Sequence, residues 1–354
     1  MLMFKDLTIN SHRRRYSIKF FKEAPPKEIQ RLSKSNFLII DEKVNDLYPI
    51  FASHFSKESI FVIESKESHK TLESVELLVS FLLKNNFKRN QKIIGVGGGI
   101  IQDLVSFVSS ILYRGVDYVL FPTTLLAQAD SCIGSKSSIN FLKIKNLLGT
   151  FYPPAEIYCC FSFLETLEAR DILSGIGEIL HYLILKDRVS AAALMIEHEQ
   201  ITSGNFEKLY PFIFKSLAIK KEMIEKDEFD QKERRVFNYG HTFGHALETH
   251  TNYKLSHGLA VTLGMDVANY VSYKFGFILH KDYLNMKKLL EKNLPSFKLK
   301  EVEILPFCKL LQKDKKNTSG NINMVIPTNR EKIQMAGITD FNKLCSSVGE
   351  YFEV

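Results

Sequence analysis

The residues with the most chemistry to offer lie between positions 238 and 257, NYGHTFGHALETHTNYKLSH. His241 and His245 are four apart, so a helix puts both imidazoles on one face. His257 follows at the head of a further helical stretch, HGLAVTLGM. Two histidines at this spacing, with a third nearby, form a candidate site for a zinc-like ion, which imidazole commonly ligates. A carboxylate or water usually completes such a set. Glu178, inside the otherwise apolar helical segment GIGEILHY, is the best distant candidate. Thr242 stands where a metalloprotease HExxH motif requires Glu, so the spacing does not point to a protease. His250 reads as an ordinary core or surface histidine.

A second segment suits a phosphate. Residues 93–103, IIGVGGGIIQD, run from an apolar strand through Gly97, Gly98 and Gly99 into a helix starting at Ile100 or Ile101. Glycines let a ligand approach the backbone, and the helix N-terminus offers free N–H groups and a favourable dipole. That outlines a cofactor pyrophosphate site, although a tight turn without a ligand has the same pattern. It is not the dinucleotide fingerprint GxGxxG, because a frame starting at Gly95 places Ile100 where the last glycine belongs. Asp103, one turn into the helix, either complements the dipole or touches the cofactor. Lys136, Lys145 and Asn146 stand near Gly134 and Gly149, Arg114 precedes Gly115, and Lys220, Arg234 and the pair Lys315–Lys316 follow later. Lysine point charges and arginine forks are what phosphates and carboxylates require, but basic residues are more often solvated surface.

The elements that must position these groups differ between the two halves of the chain. Phe37–Ile40, Ile60–Ile63, Lys92–Val96 and Tyr118–Phe121 are short apolar runs, with helical spacing over Thr71–Leu83, and Ile157–Cys160 is a last such run after Pro153 and Pro154. Strands separated by helices predict a parallel α/β sheet. Beyond about residue 164 the spacing is helical, as in Leu173–Leu185 and Val261–Tyr273, which predicts domains at 1–163 and 164–354.

The bulk numbers agree with a two-domain globular protein. The chain has 354 residues, 45% hydrophobic and 25% charged, with no apolar run that would span a bilayer and no recognisable signal peptide. Five cysteines without a CxxC pair argue against a disulfide framework or a cysteine zinc site, so a reducing cytoplasm is the expected compartment. The net charge of +7 is spread along the chain, and Arg13–Arg15 is its one tight cluster. A small anionic substrate is expected rather than nucleic acid or a membrane.

The blocks GVGGGIIQD, YRGVDYVLFPTTLLAQADSCIGSKSSIN, KNLLGTFYPP and NYGHTFGHALE resemble the signature blocks of the 3-dehydroquinate synthases and of the wider sugar-phosphate cyclase family, in consistent order from about 37 to about 327. The resemblance implies an α/β N-terminal domain with a mostly parallel sheet that binds NAD. It implies an all-helical C-terminal domain carrying metal and substrate groups, with the site in the interdomain cleft. The implied metal ligands, for zinc or cobalt, are Glu178, His241 and His257, with His245 turned to the substrate phosphate instead of pairing with His241 on the ion. Implied NAD contacts are Asp41, Glu67, Lys70, Gly98, Gly99, Asp103, Thr123, Thr124, Lys145, Phe163 and Thr166. Implied substrate contacts are Asp130, Lys136, Asn146, Lys220, Arg234, Asn238, His245 and one of Lys315 or Lys316. Arg114 would reach the phosphate across the interface of a homodimer.

The family's reaction cyclises a seven-carbon keto-acid phosphate, 3-deoxy-arabino-heptulosonate 7-phosphate, to 3-dehydroquinate in the shikimate pathway, with loss of phosphate and NAD recycled. The chain departs from the family pattern at His181, where a lysine is usual, at Leu259, at Ser135 and at Asp230. These departures bear on substrate identity. A relative acting on another sugar phosphate, such as sedoheptulose 7-phosphate, and a metal-dependent alcohol dehydrogenase of related fold are the alternatives.

Overall fold

The computed structural model describes residues 4–142, 144–297, 299–312, 321–328 and 332–353. The chain divides into two compact units. The first runs to Glu168 and regains Lys220–Phe229; the second holds Ala169–Ile219 and the chain from Asp230. The sequence suggests one cut, at 163, whereas the contacts put the change at 168/169 and return a later segment to the first unit.

The first unit contains β1 (Leu7–Asn10), β2 (Arg15–Phe21), α1 (Pro26–Ser33), β3 (Phe37–Asp41), α2 (Glu42–Leu47), β4 (Ile60–Ile63), α3 (Leu72–Lys84), β5 (Lys92–Gly97), α4 (Gly99–Ile111), β6 (Asp117–Pro122), β7 (Lys136–Phe141), β8 (Ile144–Phe151) and β9 (Glu156–Cys160). Among the described residues, seven strands form one sheet in the order β1-β2-β9-β6-β5-β3-β4. Only the β1–β2 pair is antiparallel; the other pairings are parallel. The strands FLII, KIIGV and YVLF are buried almost throughout, as strands covered on both faces must be. β3 lies between β4 and β5, so the strand order reverses at the β3–β5 pair. In doubly wound sheets, ligands bind beyond the carboxyl ends of strands at such a reversal. Asp41 ends β3 and Gly97 ends β5.

Glu156, at the start of β9, gathers cations from several elements. Lys19 on β2, Lys92 on β5 and Arg31 on α1 lie 3.2–3.4 Å from its carboxylate, and the Tyr158 hydroxyl donates to it at 2.8 Å. Burial would raise its pKa, but Tyr158 and the lysines outweigh that and hold it at about 2. A carboxyl held this low in the fold stabilises the protein above the unfolded value of about 4.3, and that stabilisation is lost as pH falls towards 2. Glu156→Gln is therefore expected to cost about 2–3 kcal/mol at pH 7, shrinking by about 1 kcal/mol at pH 3.5. Urea unfolding of both proteins at the two pH values measures this; an equal cost at both would remove the electrostatic account.

In chain order, the remaining helices are α5 (Ala169–Lys186), α6 (Arg188–Thr202), α7 (Tyr210–Lys226), α8 (His241–His250), α9 (His257–Lys274), α10 (His280–Lys288), α11 (Ile304–Gln312) and α12 (Phe341–Glu353). These belong to the second unit, apart from the end of α7 beyond Ile219. The second unit is helical but not all-helical: Ile322–Thr328 (β10) and Lys332–Ile338 (β11) pair antiparallel. β10 is buried almost throughout, whereas β11 is mostly exposed or half-buried.

The central helix is α9, buried along most of its length. Small residues let α5 and α8 reach its backbone. A Cβ on Gly177 would lie 2.1 Å from the Gly258 carbonyl oxygen, and one on Gly264 would lie 2.1 Å from the Gly240 carbonyl oxygen. No helix of the described residues is long and apolar enough to cross a membrane. All five cysteines are free and buried.

Candidate functional site

In the second unit, glycines adjoin each of three polar residues. Glu178 follows Gly177 on α5, His241 follows Gly240 at the head of α8, and His257 precedes Gly258 at the head of α9. Gly240 has φ +78°, the left-handed region where a side chain is strained, and a Cβ there would also meet Met265 at 2.5 Å. Backbone contact between the helices thus brings the three side chains together.

The Glu178 carboxylate is buried, with its Oε1 3.4 Å from His241 Nε2 and 3.2 Å from His257 Nε2. Oε1 forms no well-aligned hydrogen bond with either ring. The other ring nitrogens are engaged: His241 Nδ1 lies 3.2 Å from the Tyr239 carbonyl oxygen, and His257 Nδ1 lies 3.2 Å from Glu248 Oε2. A ring that donates from Nδ1 presents its Nε2 lone pair. With a cation in place of any Nε2 proton, two such lone pairs and an anionic oxygen would face a common point. Ligand atoms bound tetrahedrally at 2.0–2.2 Å lie roughly 3.3 Å apart, so this donor set fits a zinc-like ion.

The electrostatics agree with an engaged cluster. Burial would raise the Glu178 carboxyl, but His241 beside it, with the imidazoles of His181 and His257 close to its oxygens, holds it well below its usual range. Burial would lower His257, but Glu178 and Glu248 outweigh it and push the imidazole up to about 10. His181, fully buried, places Nδ1 3.4 Å from Glu178 Oε2, and its ring centroid lies 4.9 Å from that of His241. An imidazole thus stands close to each carboxylate oxygen. His245 is exposed, with ring centroids 5.4 Å from His241 and 5.7 Å from His257. It belongs to a second, overlapping group with Glu248 and His257. Arg234 is buried, and the Asn238 side chain donates to the Arg235 carbonyl oxygen at 2.9 Å.

In the first unit the glycine turn takes the expected form, with Gly98 capping α4 and the helix starting at Gly99, one residue earlier than the spacing suggested. A Cβ on Gly98 would press on Thr124 at 3.0 Å, while one on Gly99 would meet only Ser131 Oγ at 3.8 Å, leaving that face of the turn open. The Thr123 N–H donates to the Gly97 carbonyl oxygen at 3.1 Å, and the Thr124 hydroxyl accepts from the Ala127 N–H at 3.1 Å.

Around this turn a polar network links several candidate residues. Lys70 Nζ lies 2.7 Å from Asp103 Oδ2, and Asp103 Oδ1 accepts the Ser138 N–H at 2.8 Å. Burial outweighs these partners and raises the Asp103 carboxyl. Glu67 accepts from the Asn140 side chain at 2.8 Å and faces Lys145 Nζ at 3.7 Å; Asn146 accepts from the Ser138 hydroxyl at 2.9 Å. Asp41 caps α2 through the N–H groups of Lys43 and Val44. Phe163 is a buried core ring stacked against Phe51, so it can meet a cofactor through its backbone only. The Thr166 hydroxyl is 2.9 Å from that of Tyr48.

Elsewhere in this unit Lys220 Nζ donates to Asp130 Oδ1 and to its carbonyl oxygen, both at 2.8 Å. Lys136 is exposed on β7. Arg114 is exposed with φ +63°. Lys315 and Lys316 lie outside the described residues. Ser138, Asn140 and Glu248 were not singled out from sequence. Glu248 was detectable, because positions 241, 245 and 248 share one helical face.

Residues 60–174 match the 3-dehydroquinate synthase N-terminal family model, and residues 175–317 match the 3-dehydroquinate synthase C-terminal model. The chain belongs to the 3-dehydroquinate synthase family. A 3-dehydroquinate synthase of Clostridium tetani is 38% identical over 306 residues, covering 84% of this chain and 82% of that protein. The fold is shared more widely. A 2-deoxy-scyllo-inosose synthase solved with carbaglucose-6-phosphate, NAD+ and Co2+ superposes with TM-score 0.84 at 21% identity, covering 98% of this chain and 100% of that one. A 2-epi-5-epi-valiolone synthase from Streptomyces hygroscopicus, with NAD+ and Zn2+ bound, gives TM-score 0.83 at 23% identity, with 100% and 99% covered. Membership in the 3-dehydroquinate synthase family makes the chain an enzyme of the cyclase type.

Proposed function

We propose that this chain converts 3-deoxy-arabino-heptulosonate 7-phosphate to 3-dehydroquinate and inorganic phosphate, with NAD and a divalent ion, zinc or cobalt. The observation that carries the proposal is the Glu178–His241–His257 donor set in a chain of this family. When bound, NAD supplies a reversible hydride acceptor and the ion supplies Lewis acidity at the substrate hydroxyls. Glu178, His241 and His257 would hold the ion. The open side of the turn at Gly98–Gly99, with Thr123 and Thr124 beneath it, would hold the cofactor phosphates. Asp41, Glu67, Lys70, Asp103 and Lys145, with Phe163 and Thr166, would hold the rest of the nucleotide.

Among the substrate groups, Lys220, fixed by Asp130, and Arg234 are suited to the carboxylate. Lys136, Asn146, Asn238 and one of Lys315 or Lys316 complete the binding set. His245, exposed beside the donor set, would hold or pass the proton removed next to the ketone. Arg114 would meet the phosphate in a homodimer. Exposed Ile111 and Tyr113 beside it suit such a contact. A cytoplasmic location belongs to the same proposal.

His181 favours one second reading. A buried imidazole against Glu178 replaces the family's lysine, so a cyclase acting on a sugar phosphate without a carboxylate is the competing assignment. Purified protein with NAD and Co2+ is expected to release phosphate from the keto-acid phosphate, form 3-dehydroquinate and accumulate no NADH. Release from sedoheptulose 7-phosphate alone would replace this reading with the second. Net NADH with a simple polyol would make the chain a dehydrogenase.

A further inference from the structure

Glu248 sits on α8, seven residues beyond His241 and mostly buried, with Oε2 3.2 Å from His257 Nδ1. Its partner's other nitrogen, Nε2, faces Glu178 Oε1 at 3.2 Å. The imidazole is therefore clamped between two carboxylates, one on each ring nitrogen. Its backbone offers no such restraint, because His257 is the first residue of α9, after a loop. His241 is held differently, by the main-chain carbonyl of Tyr239 two residues before it. One of the two imidazoles thus depends on a side chain for its orientation.

We infer that Glu248 is a positioning residue that fixes the tautomer and rotation of His257, presenting Nε2 for the ion while not ligating it. The inference rests on the metal reading of Glu178, His241 and His257. A carboxylate that accepts Nδ1–H selects the neutral tautomer whose Nε2 is the ligating atom, raises the basicity of that atom, and stops the ring from turning about its Cβ–Cγ bond. The second possible role, in which Glu248, His245 and His257 Nδ1 hold an ion of their own, needs His257 Nδ1 stripped of its proton while Nε2 is also ligated. A single neutral imidazole does not offer both nitrogens as acceptors.

The test is metal affinity of the full chain, read by competition between Zn2+ and a chromophoric chelator and by the absorption spectrum of the Co2+ form. Glu248→Ala is expected to weaken Zn2+ about 10- to 100-fold, the usual cost of losing an outer partner. It should also shift the Co2+ bands, with NAD affinity unchanged. Glu248→Gln, whose amide oxygen still accepts from Nδ1, is expected to recover most of the affinity; it also serves if the alanine variant fails to fold. Wild-type affinity in Glu248→Ala, or an equal loss in both variants, would overturn the inference. So would two ions per wild-type chain falling to one in Glu248→Ala. His257→Ala separates this from the reading beneath it: undiminished Zn2+ binding there would remove the metal site itself, whatever Glu248 does.

Discussion

Gly258→Ala is expected to destabilise the helical unit by about 3 kcal/mol and to abolish tight metal binding. A Cβ at this position would lie 1.7 Å from the Ser174 carbonyl oxygen and 2.6 Å from its carbon. Both are backbone atoms of α5, so neither can swing aside. The Gly258 N–H, which donates to Ser174 Oγ at 3.1 Å, would be drawn away too. Relief requires α9 to retreat by more than about an ångström to reach an ordinary van der Waals distance. Glu178 and His257 adjoin the two glycines at this contact, so the retreat opens the 3.2 Å approach of their ligand atoms. Gly349→Ala on α12 is the control, since its Cβ would meet only Ile304 at 3.7 Å. It should stabilise by about 0.5–1 kcal/mol through helix propensity. Denaturation midpoints and Zn2+ competition read both variants. Unchanged Zn2+ affinity in Gly258→Ala would show that the helix contact does not set the ligand spacing.

Glu178→Gln is expected to lower metal-dependent phosphate release by roughly 10³-fold, the equivalent of several kcal/mol of lost Lewis-acid stabilisation. The amide keeps the size of the side chain and can still meet the imidazoles around it. It removes the one anionic donor of the set. NAD binding, assigned above to residues of the other unit, should be unaffected. The measurement is the rate of phosphate release across a Co2+ titration, beside NAD binding. Recovery of the wild-type rate at saturating Co2+ would leave Glu178 a role in affinity alone, and the lost rate would then have no catalytic part in it.

Much of the α/β unit was legible because its strands are buried on both faces and read as unbroken apolar runs, as at Phe37–Asp41 and Lys92–Gly97. β1 and β2 were missed. RYSIKFF alternates buried and partly exposed positions, and its start overlaps the Arg13–Arg15 cluster, so it has no unbroken apolar run. The ribbon of β7 and β8 was missed because its outer face is largely exposed, so neither strand has a buried run to betray it. At the site, the four-residue histidine spacing suggested His241 and His245 as partners. The structure instead faces His241 and His257 towards Glu178, because one-face spacing on a single helix says nothing about which side chain the next helix meets. The ion pair of Lys70 with Asp103 and the clamp of Glu248 on His257 join residues from separate elements, and only packing brings such groups together.

The three donors stand on α5, α8 and α9, and the last of them, His257, follows Glu178 by 79 positions (257 − 178). During synthesis they emerge in that order, and until His257 has left the ribosome and α9 has docked, an ion would find one or two ligands at most. Partial sets of this kind hold zinc-like ions weakly in an unfolded chain. An ion held by this set would therefore arrive late, after the helices have already found one another. The glycine contacts would then assemble the helical unit unaided, and the metal would lock an arrangement it had no part in selecting.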